Sequence, residues 1–311
     1  MKILITGAAG QDGSYIANSY DRSGHKVLGI LSKNPNSKKY SFETSRIDMA
    51  EPTNADSILD AFQPDLIFHL AAVHFASSEQ NQLTMKSKSE MFKCNIEVTR
   101  NILEWQSKNT HSASLFALSS QMYSLEGSGR YIKEDSVLHP KNEYGESKKK
   151  AFDLIRNYRN EFDIKSFGAI LFNHTSLRSK NQFIFPKIAT QLQQAIIGGE
   201  EQITLNDPDA EIDISHSDEV CEGMMQLIES SVGTDLVFSS GRCIKISELI
   251  AQFLEEVNLD RKISLIKKLS DNKSEKCVIG DATKAYNLIG WKAKQTPLEI
   301  LLEMFRYGLD T

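Results

Sequence analysis

No stretch of this chain approaches the run of about 20 apolar residues that a membrane-crossing helix needs, which sets the membrane-spanning class aside. Cysteine is scarce: Cys94, Cys221, Cys243 and Cys277 lie far apart, with no CxxC pair and no zinc-ligand spacing. They are expected to be reduced core thiols of a cytoplasmic protein, and no metal is expected. Positive charge is not in excess, with 36 Lys and Arg against 41 Asp and Glu and a net charge of -5, so no basic face for nucleic acid is expected. The start of the chain does not resemble a leader, because Lys2 is followed by only a few apolar residues before Gly7. Repeats and low-complexity tracts are also missing. What remains is 311 residues with 40% hydrophobic content, enough for one large domain or two modest ones, each with its own core.

The first half alternates short apolar runs with longer amphipathic stretches. Strands are expected at residues 2–6, 26–31, 46–49, 66–72, 114–119 and 165–172, and helices at 15–23, 54–62, 90–106 and 142–162. Strand and helix in alternation, with strands apolar throughout, predict a Rossmann-type doubly wound parallel sheet covered on both faces. After residue 172 the rhythm breaks. Helices at 186–197, 218–230, 246–256, 283–288 and 298–309 mix with short strands near 203–205, 212–214, 236–239 and 262–266. The expected organisation is a dinucleotide-binding domain over 1–172 and a smaller mixed α/β substrate lobe over 173–311. The helix at 218–230 and the strand at 236–239 are candidates to return to the first domain.

Gly7-Ala8-Ala9-Gly10-Gln11-Asp12-Gly13 follows the first strand and opens the first helix. Gly7 permits a tight turn, Gly10 lets a pyrophosphate approach the backbone, and Gly13 allows helix and strand to pack closely. With Gln11 and Asp12 they form the expected phosphate site, on free N–H groups at a helix start. The second strand ends in Leu31-Ser32-Lys33-Asn34, without the acid that would hold the ribose diol of NAD. Lys33, with Lys38 and Lys39 beyond it, turns the expectation toward the 2′-phosphate of NADP, with NAD as the alternative. Asp48 is placed either to accept from an adenine amino group or to cap a turn.

Tyr144 and Lys148 stand at i and i+4 of a predicted helix and so share a face. A phenol is a weak base at its ordinary pKa near ~10, and a neighbouring ammonium stabilises the phenolate. Tyr144 is therefore the expected general acid/base for interconverting a carbinol and a carbonyl. Lys148 would also hold the nicotinamide ribose. Ser119 ends a strand, where parallel sheets present residues to a ligand, and its hydroxyl can bind the same substrate oxygen.

These residues resemble the extended short-chain dehydrogenase/reductase superfamily, and within it the sugar-nucleotide branch around the GDP-mannose 4,6-dehydratases. Thr6–Tyr15 is similar to that family's TGxxGQDGSY, Tyr144–Lys148 to its YGxxK, and Leu171–His174 to its LFNH. His216, Asp218 and Val220 resemble its HxxDxV, and Gly280–Ala285 with Gly290–Lys292 its GDxTKA and GWK. The resemblance implies a nucleotide-sugar substrate, a cofactor lined by Leu70, Ala71 and Ala72, and substrate contacts from Ser120, Asn173, Arg178 and Lys187. It also implies a homodimer or homotetramer built on the helices at 90–106 and 142–162. His174, Trp291 and Asp281 are expected to be structural.

Three departures matter. Gln121, in Ser119-Ser120-Gln121-Met122-Tyr123, stands where the dehydratases carry the glutamate that removes the C5 proton and protonates the departing hydroxyl. An amide has no accessible proton equilibrium for that work. Family arginines are missing near residues 211–213 and within 270–275, so the grip on the pyrophosphate must differ or be weaker. The chain is also short for a dehydratase. In length and in Phe172-Asn173-His174-Thr175 it resembles the sister 4-keto-6-deoxy-mannose reductases. The first expectation is thus an NAD(P)-dependent reductase or dehydrogenase at C4 of a GDP-linked hexose. The alternatives are a true 4,6-dehydratase and a non-catalytic NADP-binding sensor or scaffold.

Overall fold

A computed structural model describes residues 1–32, 39–73, 84–230, 232–258, 263–267 and 276–310. The strands are β1 Lys2–Thr6, β2 Lys26–Ile30, β3 Glu43–Ser45, β4 Leu66–His69, β5 Ala113–Ala117, β6 Tyr131–Ile132, β7 Lys165–Leu171, β8 Asn173–Thr175, β9 Gln202–Leu205, β10 Glu211–His216, β11 Leu236–Phe238, β12 Cys243–Lys245, β13 Ser264–Lys267 and β14 Ile279–Gly280. The helices are α1 Gln11–Arg22, α2 Pro52–Phe62, α3 Met85–Phe92, α4 Val98–Lys108, α5 Leu125–Ser128, α6 Glu143–Phe162, α7 Ile184–Gly198, α8 Ser217–Glu229, α9 Ile246–Glu256, α10 Thr283–Ile289 and α11 Pro297–Asp310.

Seven strands form one sheet in the order β11-β7-β5-β4-β1-β2-β3, with every pairing parallel. This is the Rossmann arrangement, and the order reverses between β1 and β4, where a crevice opens beyond the strand ends. Alternate side chains of each strand enter different cores. Ile3, Ile5, Phe68, Leu115 and Phe167 pack with Ile16 and Ala17 of α1 and Met224 and Leu227 of α8. Leu4, Ile67, Phe116 and Ile170 pack with Leu59 of α2, Ile102 and Leu103 of α4, and Phe152 and Ile155 of α6. A strand with two dry faces has no polar alternation, which is why these runs read as uniformly apolar. The lobe has a separate core of Phe185, Leu192, Ile203, Ile250, Phe253, Leu301 and Phe305. Although β11 and α8 follow the first lobe strands in sequence, β11 pairs with β7 and α8 packs against α1.

Two elements differ from the sequence reading. The third strand is Glu43–Ser45, not 46–49. It is an edge strand with one neighbour, so it needs no apolar signal, and the apolar residues that follow fold under as loop, with Met49 buried. The long helix expected at 90–106 is α3 and α4 joined through a π-helical turn at Lys93–Glu97. Within that turn Asn95 donates from Nδ2 to Ser147 Oγ of α6 at 2.9 Å, an inward polar contact that a period-3.6 pattern does not report.

The cysteines also require correction. Cys94 and Cys221 are free, but Cys243 and Cys277 form a disulfide across 34 residues. β12 and the segment leading into β14 meet only in the folded chain, so linear spacing gave no sign of the pair. Among the described residues, the one group with metal-ligand chemistry is these two cysteines with Glu211, and their sulfurs are spent on each other. No helix of the described residues is long and apolar enough to cross a membrane. Closing a loop of this length restricts the unfolded chain. Cys243→Ser is therefore expected to lower unfolding stability by about 4 kcal/mol in a denaturant titration, and reductant should lower wild type to the same level.

Candidate active site

The glycine turn is held by backbone packed against backbone. Gly7 has φ +74°, and a Cβ there would lie 2.8 Å from the Ala71 nitrogen. A Cβ on Gly13 would overlap the Gly7 carbonyl oxygen. Gly10 precedes α1 and no side chain caps it, so the first-turn N–H groups face the crevice without a protein acceptor of that kind. Thr6 Oγ1 receives the Ala71 N–H at 3.2 Å and meets buried His69 Nδ1 at 2.7 Å, which ties the ends of β1 and β4 together. Leu70 and Ala71 therefore flank the turn. Uncapped amides beside glycines that admit no Cβ suit a dinucleotide pyrophosphate.

The side chains of the turn look the other way, toward the lobe. Gln11 Oε1 accepts from the Ser176 N–H at 3.1 Å and from the Ser179 hydroxyl. Asp12 accepts from Ser217 Oγ at 2.9 Å and from His174 Nε2 at 3.0 Å. His174 Nδ1 meets the Phe172 carbonyl at 2.8 Å. Burial disfavours charge on both partners, yet their mutual attraction holds Asp12 below its ordinary pKa and raises His174 to about 8. Gln11 and Asp12, read from the sequence as cofactor residues, use their side chains to join the loop to the segment after β7.

Ser119, Tyr144 and Lys148 converge at the end of β5. Ser119 shares a hydrogen bond with the Tyr144 phenol, and Lys148 Nζ lies 5.8 Å from the tyrosine ring centre. Lys148 donates to the Ala117 carbonyl at 2.8 Å, fixing it to the same strand end. Burial raises the phenol above its ordinary value, with Ser119 opposing and the Asp12 charge adding. Burial lowers Lys148 to about 8. In this arrangement burial, not the ammonium, sets the phenol, and Tyr144 is held protonated. Ser147 donates to the Tyr144 carbonyl at 2.7 Å and itself receives Asn95, so the π-helical turn braces the tyrosine's backbone. The sequence reading missed Asn95; an Asn amid the apolar positions of the helix was the available signal.

Gln121 lies in the 3₁₀ turn Ser120–Met122, just beyond Ser119. Its Oε1 accepts from Asn142 Nδ2 at 2.8 Å, while Asn142 Oδ1 caps α6 by accepting from the Gly145 N–H at 2.8 Å. The position of the family glutamate is thus joined by an amide–amide bond to the cap of the helix that carries Tyr144.

Other expected residues are more dispersed. Ser32 is exposed at the end of β2, and Arg46 Nη1 donates to its carbonyl at 2.5 Å, so a guanidinium unnoticed in the sequence stands where the acid is missing. Lys33 and Lys38 lie outside the described residues. Asp48 takes the turn-capping role, accepting the Ala50 N–H at 3.2 Å. Ala72 follows Ala71 along the extended exit of β4. Ser120 is half-buried beside Gln121, and exposed Asn173 donates to the Asp213 carbonyl at 3.2 Å. Lys187 is exposed near the start of α7. Arg178 is engaged by Asp218, by the Gln11 carbonyl at 3.2 Å and by the Tyr15 ring, at the junction of loop and lobe. Near the absent family arginine at 211–213, Arg130 pairs with Glu211 at 3.1 Å, so a cation reaches that place from a distant part of the chain. Residues 270–275 lie outside the described residues.

Comparison with known proteins agrees with this fold. The family model described as GDP-mannose 4,6 dehydratase matches residues 4–304. A GDP-mannose 4,6-dehydratase of Yersinia enterocolitica is 24% identical, over 97% of this chain and 92% of its own length. Among solved structures, a UDP-glucose 4-epimerase of Thermotoga maritima with UDP-glucose superposes with a TM-score of 0.82 at 20% identity, covering 100% of this chain and 99% of that one. RMD from Pseudomonas aeruginosa, complexed with NADPH, gives 0.76 at 20% identity, over 98% of both chains. The structural likenesses speak for the fold and the family model for descent: the chain belongs to the GDP-mannose 4,6-dehydratase family of nucleotide-sugar enzymes.

Proposed function

We propose that this protein is a nicotinamide-dependent oxidoreductase acting at C4 of a nucleotide sugar, a GDP-linked hexose in keeping with its family, as a 4-keto reductase or 4-dehydrogenase. The observation that carries this reading is Gln121. It is an amide bonded to Asn142 at the position where elimination requires a carboxylate. A bound nicotinamide dinucleotide supplies or accepts the hydride. Tyr144, kept protonated by burial, donates to the oxygen at C4 as a carbonyl is reduced, and Ser119 hydrogen-bonds the same oxygen. Lys148 keeps positive charge beside the phenol near neutral pH. The glycine turn and Leu70–Ala71 are suited to the pyrophosphate and the cofactor face. Arg46 at the acid-free end of β2 supports NADP over NAD. Family membership favours a second reading, 4,6-dehydration with another group in place of Gln121.

Tyr144→Phe should lower kcat for 4-keto reduction by about 100-fold to 10,000-fold, the range of a lost general acid, with dinucleotide affinity little changed. GDP-mannose incubated with the protein alone should remain intact. Appearance of its 4-keto-6-deoxy product would overturn the oxidoreductase reading in favour of the second. Gln121→Glu should bring in elimination activity that wild type does not have. Arg46→Ala should weaken NADPH binding by about tenfold, the worth of one charge-assisted hydrogen bond, and leave NADH unaffected. Equal losses for both dinucleotides would remove the argument for NADP.

A further inference from the structure

His174 was expected to be structural, but its hydrogen bonds require more than a neutral ring. Nδ1 faces a backbone carbonyl and Nε2 faces a carboxylate, and both are acceptors only. Satisfying both needs a proton on each nitrogen, which makes the ring an imidazolium. Asp12, its partner, is the second residue of α1, so its carboxylate belongs to the same uncapped first turn that offers its N–H groups to a pyrophosphate. An uncompensated carboxylate there would repel the ligand the turn is shaped for.

No other described cation does this work. From the segment after β8, Arg178 is taken by Asp218 of α8. From α8, Cys221 stays a thiol because burial pushes it up, and Glu222 accepts from Tyr15 of α1 at 3.1 Å. Tyr15 is itself pushed up to about 12, first by burial and then by Glu222. From α6, Tyr144 is neutral and feels the Asp12 charge.

We infer that His174 is a positioning residue whose positive charge neutralises Asp12 and keeps the dinucleotide turn receptive to a diphosphate. The inference rests on the dinucleotide reading above. It deepens that reading by making cofactor affinity depend on the protonation of a residue in the lobe segment. The sign follows from linkage. His174 is raised from 6.5 to about 8, so the pair stabilises the fold fully below 6.5 and loses that contribution as pH rises through about 8.

The test is NADPH binding, read by fluorescence from pH 7 to 9, for wild type, His174→Gln and the double variant Asp12→Asn/His174→Gln. Wild-type affinity should fall by about tenfold across that range, the equivalent of a one-unit change in the histidine's pKa. His174→Gln should be weaker by about the same factor already at pH 7, with a flatter profile. The double variant, with no charge on either residue, should recover wild-type affinity at pH 7. Lys148 also titrates near 8, but its contribution would persist unchanged in His174→Gln. An identical pH slope in wild type and His174→Gln would overturn the inference, as would a double variant no better than the single one. Binding independent of pH would overturn this inference alone. Absence of NADPH binding by wild type at pH 7 would overturn the dinucleotide reading and this inference with it. A histidine NMR titration of the ligand-free protein checks the charge directly. A midpoint near 8 is expected, and one below 7 would contradict it.

Discussion

The contact on which the rest depends is that of Gly13 on the carbonyl of Gly7. Two backbone segments meet with no side chain between them, so α1 begins immediately at the end of β1. That proximity leaves the first turn of α1 uncapped and open to the crevice. It also aims Gln11 and Asp12 sideways into the segment that follows β7. One close approach thus creates the open helix start and the bolt that joins it to the lobe.

The reacting groups follow the same logic from the next strands of the sheet. All seven strands are parallel and finish at one edge, so Ser119 and the carbonyl of Ala117 are delivered beside Leu70 and Ala71 without any special device. α6 supplies Tyr144 and Lys148 to that edge, and its start is fixed by Asn142. The π-helical turn then fixes the helix laterally through Asn95 and Ser147. The site is rigid because each side chain that would do chemistry is attached to a strand end or a helix cap.

The sheet, the glycine turn and the Ser–Tyr–Lys group were legible in the sequence because each rests on local pattern. Apolar runs mark buried strands, glycine spacing marks the turn, and an i, i+4 pair marks a shared helix face. What escaped were contacts made by distant residues. Arg46 comes from the loop after β3 and reaches the end of β2. Arg130 comes to Glu211 from 81 residues away, and Cys277 to Cys243 from 34. The edge strand was displaced because Glu43, Thr44 and Ser45 are polar, and an edge tolerates that. Asp12 and His174 were both named by motif, but the spacing of either one says nothing about the other.

The hydrogen bond between the Gln121 and Asn142 carboxamides has a consequence for charge. The first turn of α6 already carries Glu143 and Glu146 against the positive end of its helix dipole. A carboxylate at 121 would have been a third acid near that end, held ionised by it. With an amide there, the junction of β5 and α6 is less negative by one unit. An anionic group brought to this strand end would then meet less repulsion.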